Sequence, residues 1–107
     1  CLAAGAEVTA VGRDQTRLTR AGNDLPGLRT ATADITLEDE VAALFRGIGG
    51  LDHLVCTAAD IDGAYRLLSD LEIAAAQRAV ASKLLGPLML AKYGAPVLRP
   101  GGSITFT

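Results

Sequence analysis

Arg13 is the side chain whose type and place most invite chemistry. It follows Gly12 at the end of a short apolar run of Val8, Ala10 and Val11. A guanidinium at a strand's carboxyl end can bind two phosphate oxygens at once through its planar fork. The glycine beside it lets a ligand come close to the backbone. Further along, Asp34-Ile35 joins an acceptor for an amine or hydroxyl to an apolar wall, a combination that suits the edge and face of an adenine. Thr57-Ala58-Ala59 is a run of small residues over which a ligand can pass. Each has an ordinary alternative: a surface arginine, a turn acid, alanine as filler. Taken as a set at successive strand ends, they favour a nucleotide site.

Other chemistries find little support. His53 is the one histidine, and Cys1 and Cys56 are the two cysteines, with no C-x-x-C spacing. A zinc site or disulfide framework is therefore not expected. The net charge of −2 offers no footprint for nucleic acid or an anionic membrane. The most apolar stretch, Leu84 to Leu98, is interrupted by Lys92 and two prolines, and falls short of the roughly 18 apolar residues of a membrane span. With no charged leader at the start, a soluble cytoplasmic protein is expected.

The elements that must position these residues follow from periodicity and punctuation. Cys1 to Gly5 reads as a last helical turn stopped by a glycine in the left-handed conformation. After the strand ending at Gly12, Asp14 is an N-cap for a helix to about Asn23, and Leu25-Pro-Gly27 breaks it. Leu28 to Ala33 leans to strand. Thr36-Leu-Glu-Asp39 resembles a capping box, opening a helix with Val41, Leu44, Phe45 and Ile48 on one stripe. Gly49-Gly50 ends it, and Leu51 to Cys56 is a strand. Ile61 to Leu68 reads as loop, and Ser69-Asp-Leu-Glu72 as a capping box for a helix to about Ala81. A second helix spans about Lys83 to Val97, with Pro87 tolerable only near a helix start or a kink. Ser103 to Thr107 is the last strand.

Strands alternating with helices predict an α/β fold, a doubly wound parallel sheet in three layers, Rossmann-like. The short apolar strands suit burial on both faces. At 107 residues, opening on a helix stop and closing in a strand, the chain is expected to be an incomplete domain spanning 1–107.

Gly-Ala-Glu-Val-Thr-Ala-Val-Gly-Arg-Asp, Ala-Asp-Ile, Leu-Asp-His-Leu-Val-Cys-Thr-Ala-Ala, Lys-Leu-Leu-Gly and Gly-Gly-Ser-Ile-Thr-Phe-Thr, in that order, resemble the short-chain dehydrogenase/reductase family along essentially the whole chain. The resemblance implies an oxidoreductase that interconverts a carbonyl and an alcohol by hydride transfer. It implies NADP(H) through Arg13, with Gly12 where an NAD-preferring member carries an acid. Asp34 and Ile35 fall where adenine is contacted. Thr57, Ala58 and Ala59 fall on the family's Asn-Ala-Gly stretch below the nicotinamide-side ribose and keep only its alanine. Lys83 stands at the active-site asparagine, which holds a water in a proton relay, and a charged lysine cannot accept a hydrogen bond there. The glycine-rich phosphate loop, the catalytic serine and Tyr-x-x-x-Lys match nothing in the chain, so no catalytic residue is assigned and the chain alone is expected to be inactive. A homodimer or homotetramer is implied for the complete protein, acting on a small carbonyl or alcohol. The alternatives are a nucleotide-binding scaffold that has lost catalysis and, behind it, a methyltransferase with a related sheet, against which the order arginine before acid at residues 13 and 14 counts.

Overall fold

The computed structural model describes all residues, Cys1–Thr107, as two compact units, Cys1–Asp34 and Ile35–Thr107. Unit 1 is a strand, a helix and a parallel strand. It opens with a 3-10 turn, Leu2–Ala4, closed at Gly5, whose φ of 86° and N–H bond to the Leu2 carbonyl make the expected stop. β1 (Thr9–Gly12) pairs in parallel with β2 (Arg29–Thr32), with Gly12 opposite Thr32. Between them runs α1 (Gln15–Asp24), capped as expected: Asp14 Oδ1 accepts the Arg17 N–H at 3.0 Å. Leu18 is the one residue of α1 that is buried, and its side chain lies over Gly12. Gly22 faces Thr30, and the Thr32 hydroxyl donates to Gln15 Oε1. A helix face this polar has one apolar anchor, so unit 1 is held mainly by its strand ladder and polar contacts.

Unit 2 has the apolar core. α2 (Glu38–Ile48) leads to β3 (Leu51–Cys56), which pairs in parallel with β4 (Leu98–Phe106). Of the predicted stripe, Val41 and Phe45 are buried, and with Cys56 and Leu90 they form the centre of the core. Leu51, Leu54, Met89 and Tyr93 pack around it. Two glycines set how closely the helices approach: a Cβ at Gly94 would lie 3.1 Å from the Phe45 ring, and one at Gly86 would lie 2.8 Å from Ile35 Cδ1. The other face of this strand pair carries His53, Val55, Ser103 and Thr105, all exposed. His53 Nδ1 and Ser103 Oγ lie 2.9 Å apart on it.

Four details depart from the sequence reading. Ile35-Thr36 form a turn, so the N-cap of α2 falls on Leu37 and no side-chain cap bond forms there. The motif at Ser69–Glu72 is not a capping box either. Leu68–Asp70 is a separate 3-10 turn, the extended backbone of Leu71 interrupts it, and Ser69 Oγ donates to Asp70 Oδ1 at 3.1 Å instead. α3 (Ile73–Val80) therefore starts from Glu72 with no side-chain cap bond.

The two predicted helices also prove to be one helical run. α3 passes through a π turn, Ala81–Leu85, into α4 (Gly86–Gly94). Pro87 follows that π turn after Gly86, inside the run rather than at a free helix start. The wider turn ahead of it absorbs the ring. Finally, β4 begins at Leu98, five residues before the predicted start. Leu98 already pairs with Leu51, and the ladder then slips between Leu51 and His53. Gly101, at φ 82°, lies in that irregular stretch, and the slip is what lets a strand contain Pro100.

Candidate functional site

In parallel α/β sheets ligands bind beyond the carboxyl ends of the strands, and the predicted residues stand there. In unit 1, Arg13 follows β1 and Asp34 follows β2. The backbone brings them together: the ladder continues past Thr32 through a bond from the Ala33 N–H to the Gly12 carbonyl at 3.0 Å. Arg13 Nη1 then lies 4.0 Å from Asp34 Oδ2, with the arginine side chain 61% exposed and the aspartate 25%. The neighbouring acid is engaged separately, since Asp14 Oδ2 lies 3.4 Å from Arg17 Nε. Gly12 is not required by a left-handed turn, and a Cβ there would make only ordinary contact with Leu18, 3.7 Å away.

In unit 2, Ile35 is half-buried and packs on the core, over Gly86. Gly86 is bare where Ile35 crosses the helix. Thr57, Ala58 and Ala59 leave the end of β3 as an exposed, irregular segment. That segment is anchored by a residue the sequence reading missed. Ser82, buried in the π turn, accepts the Asp60 N–H at 2.8 Å, and its hydroxyl lies 3.3 Å from both the Asp60 and Ala79 carbonyls. A serine between Ala81 and Lys83 in a helical stretch gives no local signal of this role. Arg78 adds an ion pair to Asp60 at 3.8 Å and a bond to the Asp62 carbonyl at 3.2 Å. Lys83, on the same π turn, donates to the carbonyl of Thr107 just beyond β4. A π turn often marks a functional position in a helix. Here it directs a cation to the carboxyl end of a strand.

Close by is an open cavity of about 400 Å³ lined by Asp62, Asp70, Glu72, Arg66 and Arg78 among others. No helix is long and apolar enough to cross a membrane, and no group of three or more His, Cys, Asp or Glu side chains is placed to hold a metal ion. The shifted ionisations lie elsewhere, on the exposed pair of Glu38 and Lys92. Hydrogen bonds from Lys92 at 2.6 Å and from the Tyr93 hydroxyl at 2.9 Å hold the Glu38 carboxyl below its ordinary value. The same Glu38 contact holds Lys92 above its own.

The parallel strand–helix–strand units with charged groups at their carboxyl ends define a Rossmann-like α/β protein. Solved structures carry this further. A short-chain dehydrogenase/reductase from Brucella melitensis superposes with a TM-score of 0.87 over 98% of this chain, at 23% identity, and 46% of its own length is covered. A short-chain dehydrogenase/reductase family protein matches at 0.82 and 29% identity, over 97% of this chain and 45% of its own. A small-chain dehydrogenase in complex with NADPH matches at 0.65 and 30% identity, over 92% of this chain and 49% of its own. No family model matches the sequence, and no curated protein does. The chain thus shares the fold of short-chain dehydrogenase/reductase structures and resembles some of them at 29–30% identity, and it spans about half the length of these structures.

Proposed function

We propose that residues 1–107 form part of the NAD(P)-binding domain of an oxidoreductase that prefers NADP(H) and interconverts a small carbonyl compound and its alcohol. The observation that carries the reading is Arg13 at the carboxyl end of β1, mostly exposed, with its Nη1 4.0 Å from Asp34 Oδ2. The planar fork of a guanidinium, with five N–H donors, suits the oxygens of a ribose 2′-phosphate. Gly12 puts no carboxylate where a ribose diol would be preferred. Asp34 can accept from the adenine amine, while the exposed backbone of Thr57, Ala58 and Ala59 offers a floor for the second ribose.

The bound nicotinamide supplies or accepts the hydride. The proton on the alcohol oxygen needs a separate acid, and none of this chain's residues is assigned to it, so the 107 residues alone are expected not to turn over. The apolar residues Ile73, Val80, Leu84 and Leu88, all exposed along the helical run, support a homodimer or homotetramer of the complete protein. Solubility and a cytoplasmic place remain part of the same reading.

A second reading, a nucleotide-binding scaffold without catalysis, draws on Lys83, whose ammonium is engaged by the Thr107 carbonyl and cannot accept a relay water's hydrogen bond. Titration of the full-length protein with NADPH and NADH tests the cofactor assignment. Arg13→Ala is expected to weaken NADPH about tenfold or more, as loss of a charge-assisted contact does, and to leave NADH nearly unchanged. An unchanged preference sinks the phosphate assignment. Turnover of simple aldehydes and ketones by the full-length protein separates enzyme from scaffold.

A further inference from the structure

We propose that Asp34 sets the strength of 2′-phosphate recognition, because the phosphate must take Arg13 away from it. This rests on Arg13 being the phosphate ligand. Four charged side chains gather at the loop ends of unit 1, and they are already paired. Arg17 is held by both oxygens of Asp14, through its backbone N–H at 3.0 Å and its Nε at 3.4 Å. Arg13 is held by Asp34 at 4.0 Å.

Two arginines and two aspartates sum to zero charge, so an arriving phosphate meets no surplus of positive charge. The two pairs differ in where they stand. Asp14 caps a helix and also contacts the Arg17 side chain, while Arg13 stands directly at the strand end with its guanidinium largely exposed beside Asp34. Arg13 is therefore the arginine that a phosphate at the strand end would engage.

The juxtaposition is built into the backbone rather than left to two flexible side chains. Gly12 stands opposite Thr32 in the parallel ladder, and the Ala33 N–H is bound to the Gly12 carbonyl. The residue after each of these anchors is then one of the pair. When a phosphate binds Arg13, the Asp34 carboxylate is left beside a like charge, and near the surface such a repulsion at a few ångströms is worth about a fivefold change in affinity. Removing the charge while keeping the shape removes that penalty. Asp34 is thus a specificity residue acting through Arg13, distinct from any contact it makes with a base.

The test compares two probes that differ in one phosphate, 2′,5′-ADP and 5′-AMP, bound to the full-length protein and measured by calorimetry at fixed low salt. The readout is the ratio of their affinities, in which a lost base contact or a general loosening cancels. Asp34→Asn is expected to raise the ratio about fivefold, and Asp34→Ser supplies the same comparison should the asparagine variant not fold. In an Arg13→Ala background the Asp34→Asn change is expected to leave the ratio alone. A ratio that Asp34→Asn leaves unchanged or lowers overturns the proposal. If Arg13→Ala itself does not reduce the ratio, the cofactor reading fails first, and the two failures are told apart.

Discussion

The two strand pairs of this molecule use the same topology for different ends. β3 and β4 lie under α2 and α4 with Val41, Phe45, Cys56 and Leu90 closed between them. β1 and β2 lie under α1 with Leu18 as that helix's one buried side chain, and most of the remaining contacts are polar or charged. One pair keeps its apolar groups together. The other is held largely by polar and charged contacts. In such a division, stability should respond most to changes in unit 2 and ligand preference most to changes in unit 1.

Changes at four residues break or sharpen that contrast. The largest effect is expected from Phe45→Ala, which removes a ring packed against Leu54 and the bare backbone of Gly94. A loss of about 3–5 kcal/mol is expected in urea unfolding. Leu18→Ala in unit 1 should cost visibly less, because its site is shallow enough to collapse. Equal losses would refute the contrast. Next comes Asp14→Ala, which removes the cap of α1 and frees Arg17, with an expected loss of about 1 kcal/mol read from the same unfolding curves. It should also strengthen anion binding slightly, whereas a cap replacement by Asn should restore stability without restoring charge.

The smallest effect concerns pH. The Glu38 carboxyl is held low in the folded state by Lys92 and Tyr93, so its contribution is present above the unfolded carboxylate value and fades as pH falls through the folded one. Lys92 is held high, so its share is present below the unfolded lysine value and is lost as pH rises through the folded one. Both groups are exposed and screened. Glu38→Gln should therefore flatten the acid limb of stability only slightly, and a large change there would show that the cluster carries more than a surface pair.

Much of this architecture was readable from local chemistry. Asp14, Gly5 and the stripe of Val41 and Phe45 announce themselves because a cap, a left-handed stop and a helical face are decided within a few residues. Arg13 and Asp34 could each be named as candidates, but their contact depends on parallel pairing across a helix, which no local pattern encodes. The capping-box readings at Thr36 and Ser69 failed for a related reason: a turn at Ile35-Thr36 and the extended Leu71 override the motif. The early start of β4 was hidden by Pro100 and two glycines, residues that normally mark the end of a strand and here accompany a slip in register. Ser82 could not be weighed without knowing that the Asp60 backbone reaches it.

The π turn at Ala81–Leu85 has a consequence for how the chain can change length. Each residue advances an α-helix by 100°, and the wider turn takes up one extra residue. Ala75 and Leu90, on either side of it, are both buried. Deleting one residue of the turn would leave a regular helix with Leu90 and Gly94 still directed at Phe45, whereas inserting one would turn them away. Insertions and deletions are thus not interchangeable here: the irregularity acts as a spare residue, with the core as its reference point.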